Sequence, residues 1–235
     1  MFDRAKVLIL IQARSASTRL PRKVHLPVNG KPILQRVLDT CNVAADFLNR
    51  QPNLNCVTQT AIACPIGDEI VGKYNAKAKV YEGSEHDVLD RFRSAVSEDG
   101  ADLVVRVTAD CVLIPAFIIS RMIKAALYKR NDYTSNVIYR SFMEGYDCEV
   151  FKADFLDFLD AGSTEEERQH VTLAAKRLNL AGDRRFSALH VFDRIDLSRI
   201  KTSVDTKEDY DRVCQLVERL EGKKAAAAIN GTVSE

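Results

Sequence analysis

The chain has 235 residues, of which 46% are hydrophobic and 29% charged, and its formal net charge at pH 7 is +1. A chain this close to neutral has no general attraction to nucleic acid or to a membrane surface, so any basic function must be local. No apolar stretch approaches the length of a membrane span, and the amino terminus has no signal-peptide pattern, which together favour a cytoplasmic protein.

The six cysteines are scattered along the chain. They form no C-x-x-C pair, and no histidine stands at metal-binding spacing from them. We therefore expect reduced thiols, with neither a zinc site nor a redox centre. A chain of this length can bury a sizeable core, and we predict a single α/β domain over residues 1–221.

The first predicted element is a buried strand followed by a cationic loop. Residues 7–11 are all aliphatic, which is typical of a central parallel strand buried on both faces. Arg14, Arg19 and Lys23 follow, with serine and threonine hydroxyls between them. Ligands of open α/β sheets bind outside the carboxyl ends of the strands, so the loop predicts an anion site, and its arginines favour phosphate. A solvated basic loop would have the same composition.

Helix and strand patterns then alternate, which favours a parallel sheet. The predicted order is a helix at 32–41, a polar connection at 42–53, a strand at 55–63, a helix at 67–74, a strand at 79–81, a helix capped by Ser84, a strand at 103–107 and a helix at 120–129. Asp110 follows the second aliphatic strand, close to the first loop in this architecture. Because Mg²⁺ takes one or two carboxylates together with phosphate and water oxygens, Asp110 is a candidate metal ligand.

Short strands are predicted at residues 133–139 and 145–151. Alternation in the second strand places Asp147 and Glu149 on one face. Two carboxylates on one face suit a metal or sugar hydroxyls, but an exposed strand face gives the same pattern.

The remaining elements are helical. Ser163 or Thr164 is expected to cap a helix that continues to Leu178. Asp205 lies at the start of the last amphipathic helix, where an N-cap role would also explain it. Residues 222–235, with four alanines and a small polar end, are expected to be disordered.

The residue order becomes recognisable in the first loop, which reads Ala13-Arg14-x-x-Ser17-Thr18-Arg19-Leu20-Pro21-x-Lys23 and is followed by Asn29-Gly30-Lys31-Pro32. This order resembles the signature of the sugar-acid cytidylyltransferases, which include the synthetases of CMP-linked Kdo and acylneuraminate and the shorter spore-coat polysaccharide type. Later motifs resemble the same family in the same order: G-S-x-x-D-V-L-x-R-F from residue 83, G-x-D-x-E-V-F from 145, E-R-x-H-V-T from 167 and V-D-T-x-E-D from 204.

The resemblance implies an α/β, three-layer Rossmann-like nucleotide-diphospho-sugar transferase fold with a mostly parallel central sheet. It also implies a reaction in which a sugar hydroxyl attacks the α-phosphate of CTP and pyrophosphate leaves. Arg14, Lys23 and Asp110 would be catalytic. The nucleotide would be bound by the following residues of the first loop and the G-S motif: Ala13, Arg14, Ser17, Arg19, Lys23 and Arg91.

The same resemblance implies the other ligands. Mg²⁺ would be held by Asp110 and Asp205, and a homodimer is expected, with no nucleic-acid or membrane partner. The small sugar substrate would be bound by residues of the later motifs and the strand before them: Asn136, Asp147, Glu149, Arg168 and His170.

Two positions depart from the family pattern. Arg22 stands where the family usually has glycine, so either the loop bends differently or an added cation reaches the triphosphate. Val112 stands where the family usually has proline. Two alternatives stay open: a glycosyltransferase that uses Asp147 and Glu149 as a D-x-D-like pair, and a nucleotide-binding member without catalysis.

Overall fold

The structure, a computed structural model, describes residues 4–231, with side chains as far as Gly222. The elements of the first half are β1 (Ala5–Gln12), β2 (Pro27–Val28), β3 (Lys31–Pro32), α1 (Ile33–Asn49), β4 (Cys56–Pro65), α2 (Ile70–Tyr74), β5 (Lys79–Gly83), α3 (Val88–Asp99) and β6 (Leu103–Thr108). Those of the second half are α4 (Ala116–Lys129), β7 (Tyr133–Ser135), β8 (Glu149–Lys152), α5 (Ala153–Gly162), α6 (Glu165–Arg168), α7 (Leu173–Leu180), β9 (Ala188–His190) and α8 (Lys207–Gly231).

Seven strands form one sheet in the order β5-β4-β1-β6-β8-β7-β9. The first four of these are parallel to one another. β8 pairs antiparallel with both β6 and β7, and β9 returns parallel to β7. The α/β class with a mostly parallel central sheet is therefore confirmed, and β1 has the central place that its aliphatic run predicts.

Helices cover both faces of the sheet. Val7, Ile9 and Ile11 of β1 belong to a core that also contains the buried residues of α1 and α4. Leu8 and Leu10 point the other way, into a core shared with α3, α5 and α7. Because successive side chains of a strand point to opposite faces, one aliphatic run supplies both cores and fixes the three layers.

A third, smaller core lies near the carboxyl edge of the sheet. It contains Leu20 of the first loop and Val112, which follows β6. These residues pack with Val204, which precedes α8, and with Val213 and Val217 of α8 itself. Three segments that are distant in sequence are thus packed together by apolar contacts at one place.

Helix α1 is longer than predicted. The segment 42–53, expected to be a polar connection, continues the helix to Asn49, because Ala44, Ala45 and Leu48 extend its buried face. The N-cap of α3 also differs from the prediction. Asp87 is the N-cap and accepts from the Asp90 amide, whereas the hydroxyl of Ser84 accepts from the Asp87 amide.

The helix expected from residue 163 or 164 to 178 is interrupted. Thr164 and Glu167 form a capping box at the start of α6, as its S/T-x-x-E pattern indicates. The chain then leaves the helix at residues 169–172, where Val171 has a φ of +55°, and resumes as α7. β7 and β8 are likewise shorter than the predicted strands, because residues 136–148 form an irregular loop between them.

The last helix is assigned to Gly231, so part of the segment expected to be disordered has helical backbone. Residues 232–235 lie outside the described residues, and the expectation for the tail remains a prediction. The six cysteines are free, and five of them are buried. Within residues 4–231, no helix has the length and apolar character that a membrane span requires.

Candidate functional site

A cavity of ≈ 240 Å³ opens at the carboxyl edge of the parallel strands, between the first loop and the ends of β1 and β6. The residues that line it are Gln12, Ala13, Arg14, Ser17, Thr18, Arg19, Lys23, Val24, Glu85, His86, Val88, Arg91, Thr108, Ala109, Asp110, Gln169, His170 and Asp205. The structure therefore brings together all six residues predicted to bind the nucleotide and both predicted metal ligands.

The backbone holds the first loop to its neighbours at two points. The Ala13 amide donates to the Ala63 carbonyl at 3.1 Å, which continues the ladder between β1 and β4. Asp68 then accepts from the Ser15 amide at 2.8 Å and from the Ser15 hydroxyl at 2.5 Å. A carboxylate that accepts both bonds fixes the path of the loop.

His25 completes this anchor. Its Nε2 lies 2.8 Å from Ser15 Oγ and 3.2 Å from Glu69 Oε1. Because the Ser15 hydroxyl proton is directed to Asp68, Nε2–H is the donor to Ser15 Oγ. Burial and the nearby Lys73 lower the pKa of His25, although Glu69 opposes them, so the ring is neutral at pH 7. Asp68 and His25 are positioning residues that the sequence patterns did not single out.

Lys23 lies between two carboxylates. Its Nζ donates to Asp110 Oδ2 and to Asp205 Oδ1, each at 3.1 Å, and to the Val204 carbonyl at 2.9 Å. The Val204 amide in turn donates to the Asp110 carbonyl at 3.1 Å. Residues 110 and 205, which are far apart in sequence, are therefore held side by side by backbone and side chain together.

The charges around Asp205 favour its ionised form. Burial alone would raise the pKa of Asp205, but Lys23, Lys201 and Arg19 outweigh it and hold the pKa below its usual value. Arg19 Nη2 lies 2.9 Å from Asp205 Oδ1, although most of the Arg19 side chain is exposed. The exposed guanidinium of Arg14 lines the same cavity.

The donor set suits a divalent cation. Two carboxylates already converge on the ammonium of Lys23, which occupies the kind of position a cation takes between them. No group of three or more His, Cys, Asp or Glu side chains in the described part of the chain has the geometry of a closed metal site. Mg²⁺ needs only one or two carboxylates when phosphate and water oxygens complete its shell, so these residues fit it.

A second cavity, of ≈ 210 Å³, adjoins the first. The two share Thr108, Asp110 and Asp205. The remaining lining residues, half of them acidic, are Arg106, Cys111, Glu144, Asp147, Glu149 and Ser203. Asp147 and Glu149 do face a common space, as the strand alternation indicates.

Glu149 is the centre of a buried polar network. Its Oε2 accepts from Arg106 Nη1 at 2.7 Å and from Thr172 Oγ1 at 2.9 Å, and its Oε1 accepts from the Tyr133 hydroxyl. Arg106 Nε also donates to Gln12 Oε1 at 3.0 Å. Burial and the Glu149 charge raise the pKa of Tyr133, so its hydroxyl stays a donor. The network links the end of β1 to the turn at residues 169–172.

The family model described as cytidylyltransferase matches residues 8–153, well over half of the chain. This chain belongs to the cytidylyltransferase family. It is therefore a nucleotidyltransferase.

Three similar proteins illustrate the membership. The spore coat polysaccharide biosynthesis protein SpsF of Bacillus subtilis (strain 168) is 29% identical over 217 residues, which cover 91% of this chain and 87% of that protein. An 8-amino-3,8-dideoxy-manno-octulosonate cytidylyltransferase of Shewanella loihica is 29% identical over 132 residues, covering 53% and 48% of the two chains. A cytidylyltransferase structure from Leptospira borgpetersenii serovar Hardjo-bovis has a TM-score of 0.75 and 30% identity, covering 88% and 84%.

The two departures from the family pattern have structural explanations. Arg22 has a φ of 57° and a ψ of 26°, the left-handed conformation that glycine adopts most readily. The loop therefore has the bend that a glycine would permit. The Arg22 side chain is directed to Glu69, with Nη2 at 2.6 Å from Oε2, and it does not line the cavity. Val112 is buried in the third core, and its amide donates to the Asp110 carbonyl at 2.9 Å, a bond that proline lacks.

Three of the predicted substrate-binding residues line the two cavities, and two do not. The amide of Asn136 is used within the fold: Nδ2 donates to the Tyr146 carbonyl at 2.8 Å and Oδ1 accepts from the Cys148 amide at 2.9 Å. Arg168 pairs with Asp87 at 2.6 Å and with Asp160 at 2.7 Å. Both side chains hold neighbouring segments in place.

The acidic pair that motivated a glycosyltransferase alternative is already engaged. Asp147 accepts hydrogen bonds from Nη1 and Nη2 of Arg140, the latter at 2.9 Å. Glu149 is committed to the buried network described above. Asp147 and Glu149 are each paired with a different arginine, whereas Asp110 and Asp205 converge on one cation, the Lys23 ammonium.

Proposed function

We propose that this cytidylyltransferase transfers CMP from CTP to a hydroxyl of an acidic or related sugar, with release of pyrophosphate, in the synthesis of surface polysaccharide precursors. The observation that carries the proposal is the pair of adjoining cavities that share Thr108, Asp110 and Asp205. One cavity is lined by the cationic loop and the other by hydrogen-bonding side chains, as a triphosphate and a sugar require.

The larger cavity is assigned to CTP. Arg14 and Arg19 can each form bidentate bonds to phosphate oxygens, Lys23 adds a compact positive charge, and Ser17 adds a hydroxyl. Ala13 is buried, and its small side chain lines the same cavity. Lys23 is already held by Asp110, Asp205 and the Val204 carbonyl, so it would stabilise charge on the transferring phosphoryl group with little reorganisation.

The transfer step forms one bond and breaks one. The oxygen of the sugar hydroxyl attacks the α-phosphorus of CTP, the bond from that phosphorus to the bridging oxygen of the β-phosphate breaks, and pyrophosphate leaves with that oxygen. The hydroxyl proton passes to water. Lys23 and Arg19 lie beside the phosphates and balance the charge that accumulates on the leaving group.

Asp110 and Asp205 are the residues that would hold Mg²⁺. A divalent cation held by these two residues would supply Lewis-acid chemistry at the α-phosphate and would favour loss of the proton of the attacking hydroxyl. Lys23 lies between the two carboxylates, and phosphate and water oxygens would supply the other ligands that Mg²⁺ takes.

The smaller cavity is assigned to the sugar. Asp147 and Glu149 line it, and His170 faces the larger cavity beside it. The relatives support a sugar substrate: one is named for spore coat polysaccharide biosynthesis and another for an amino-dideoxy-octulosonate. We also propose a homodimer, on the family resemblance, which light scattering of the purified protein tests directly.

The experiment is pyrophosphate release from CTP and Mg²⁺ with a panel of free sugars: 3-deoxy-2-keto sugar acids, their amino derivatives and neutral hexoses. We expect release with at least one sugar acid and a loss of at least about a hundredfold in turnover in D110N, on the order of 3 kcal/mol. D46N is the matched control, because Asp46 is exposed on α1 far from the loop. Full activity of D110N, or CTP binding without pyrophosphate release from any sugar, would contradict the proposal.

A further inference from the structure

The turn at residues 169–172 departs from the helix that the sequence pattern predicts. Val171 has a φ of +55°, a left-handed conformation that a β-branched residue adopts only when its surroundings impose it. Gln169 and His170, which precede it, are exposed and line the larger cavity, whereas Val171 and Thr172 are buried. The chain therefore leaves its helical path where it borders the site.

Contacts with other elements hold the turn on both sides. Before the turn, Arg168 pairs with Asp87 at 2.6 Å and with Asp160 at 2.7 Å. Within the turn, the Val171 side chain is fully buried in the core that α3, α5 and α7 share. After it, Thr172 is the N-cap of α7.

Thr172 does not use its hydroxyl in the way that an N-cap usually does. A threonine at this position normally accepts a hydrogen bond from an amide in the first turn of its helix. The Thr172 hydroxyl makes no such bond and donates to Glu149 Oε2 at 2.9 Å. The bond to Glu149 therefore replaces the cap, and it draws residue 172 toward the sheet.

Glu149 is a fixed point for this hydrogen bond. It is 2% exposed, Arg106 Nη1 donates to the same Oε2 at 2.7 Å, and the Tyr133 hydroxyl donates to Oε1. Arg106 Nε donates in turn to Gln12 Oε1 at 3.0 Å, at the end of β1. Because a carboxylate with a charged partner and bonds on both oxygens has little freedom to move, the bond from Thr172 fixes the turn as well.

We propose that Thr172 and Glu149 are positioning residues, whose hydrogen bond breaks the helix and holds His170 at the wall of the larger cavity. This role rests on the proposed function and is additional to the place of Glu149 in the wall of the smaller cavity. Without the bond, the helical pattern of residues 163–178 competes with the turn, and the His170 ring leaves its place.

The test combines kinetics with proton NMR of the histidine rings. T172V keeps the size of the side chain and removes its hydroxyl, so kcat/KM for the sugar should fall about tenfold, since small displacements of a contacting group have effects of this size. The ring signal of His170, identified by its absence in H170A, should shift in T172V even in the free protein. T172S keeps the hydroxyl and should retain the wild-type kinetics and signal.

T164V is the matched control. The Thr164 hydroxyl accepts from the Glu167 amide at 3.3 Å, so the same substitution there removes a cap bond of α6 and lowers the thermal midpoint. It leaves the bond between Thr172 and Glu149 in place. T164V should therefore keep the wild-type His170 signal and kcat/KM, which separates a loss of stability from a loss of positioning.

A double-mutant cycle shows whether Thr172 acts through His170. H170A should itself lower kcat/KM about tenfold, and T172V should add little in that background, because residues that act as a unit have non-additive effects. Wild-type kinetics in T172V, an unshifted His170 signal, or a full T172V effect in the H170A background overturns the inference.

The NMR measurement separates this inference from the proposed function, because it needs no substrate. If the wild type releases pyrophosphate with no sugar, the proposed function fails, and the His170 signal of T172V still decides whether Thr172 positions the ring. Pyrophosphate release by the wild type together with an unchanged His170 signal in T172V overturns the inference and leaves cytidylyl transfer standing.

Discussion

Arg22 shows how one residue can keep a backbone bend that another residue type would make more easily. A non-glycine residue in the left-handed region is disfavoured by about 1 kcal/mol, and the exposed ion pair to Glu69 returns between 0 and about 1 kcal/mol. We therefore expect R22G to raise the free energy of unfolding slightly, by about 0.5 kcal/mol. Urea unfolding of R22G and of the wild type measures this difference in stability.

Arg130 is the matched position for this comparison. It has a φ of 58° at the end of α4 and no ion pair among the described residues. R130G therefore isolates the backbone effect and should stabilise by roughly 0.5–1 kcal/mol. CTP affinity should be unchanged in R22G, because the side chain does not line the cavity. A tenfold loss of affinity would show instead that Arg22 reaches the triphosphate.

At the residue scale, the sequence predicted the basic residues of the first loop, Asp110 and Asp205 in the larger cavity, because they follow aliphatic strands or lie in ordered motifs. Asp68 and Gln12 were not predicted. Their contacts, to Ser15 and to Arg106, join positions 53 and 94 residues apart in the chain. No local pattern encodes such a pairing, and it becomes visible only once the strand order is known.

Gly145 links the acceptor side of the site to the segment before α8. Its φ is +103°, and an added Cβ would lie 2.5 Å from the Ser203 amide nitrogen and 2.7 Å from Thr202 Oγ1. G145A should therefore push residues 200–204 outward, destabilise by about 2 kcal/mol and weaken Mg²⁺-dependent CTP binding through Asp205.

Gly72 gives the control for this substitution. It lies inside α2, and a Cβ there would meet nothing within 4 Å. G72A should raise stability by roughly 0.5–1 kcal/mol and leave nucleotide binding unchanged. Urea unfolding and CTP titration of both variants measure the difference. If G145A binds CTP as tightly as the wild type does, the contact at Gly145 does not position Asp205, and the prediction is wrong.

The break between α6 and α7 is held by Glu167. Arg177 lowers the pKa of this carboxyl most strongly, burial opposes it, and the Thr164 amide adds to the lowering. Because the folded pKa lies below the unfolded value of about 4.3, this stabilisation is complete above that pH and disappears as the pH falls through the folded pKa.

E167Q tests the sign of this dependence. Glutamine can keep the capping box but not the ion pair with Arg177. We therefore expect E167Q to lower the free energy of unfolding at pH 7 by about 0.5–1 kcal/mol, a small value because Arg177 is half exposed. This loss of stability should shrink steadily as the pH falls below about 4. T164A removes the cap hydroxyl and should cost about 1 kcal/mol at both ends of this range. A loss in E167Q that persists unchanged in acid would rule out the ion pair as its cause.

At the scale of elements, the sequence predicted α1, α3 and the parallel strands because their apolar spacing is regular. It did not predict the turn at residues 169–172. Val171 adopts a positive φ, which its side chain disfavours, because Thr172 is drawn to Glu149 and His170 faces the cavity. Tertiary contacts thus override a helical pattern at the site itself.

The whole molecule divides into a regular half and an irregular half. β5, β4, β1 and β6 follow from alternating helix and strand patterns, whereas the insertion of antiparallel β8 between β6 and β7 depends on contacts over long sequence distances. The two cavities meet where these halves join, at Asp110 and Asp205. The order of the motifs predicted that Asp110 and Asp205 lie close together, which no single strand pattern indicated.

Selective binding of CTP with Mg²⁺ is the property on which the proposed function depends. Thermal unfolding with Mg²⁺ and each of CTP, UTP, ATP and GTP is the direct measurement. A ligand at a hundred times its dissociation constant adds about 2.7 kcal/mol to stability, which moves the midpoint of a domain of this size by several degrees. We predict a shift with CTP that requires Mg²⁺ and far exceeds those of the other nucleotides. Equal shifts with all four, or a shift only with nucleotide sugars, would contradict it.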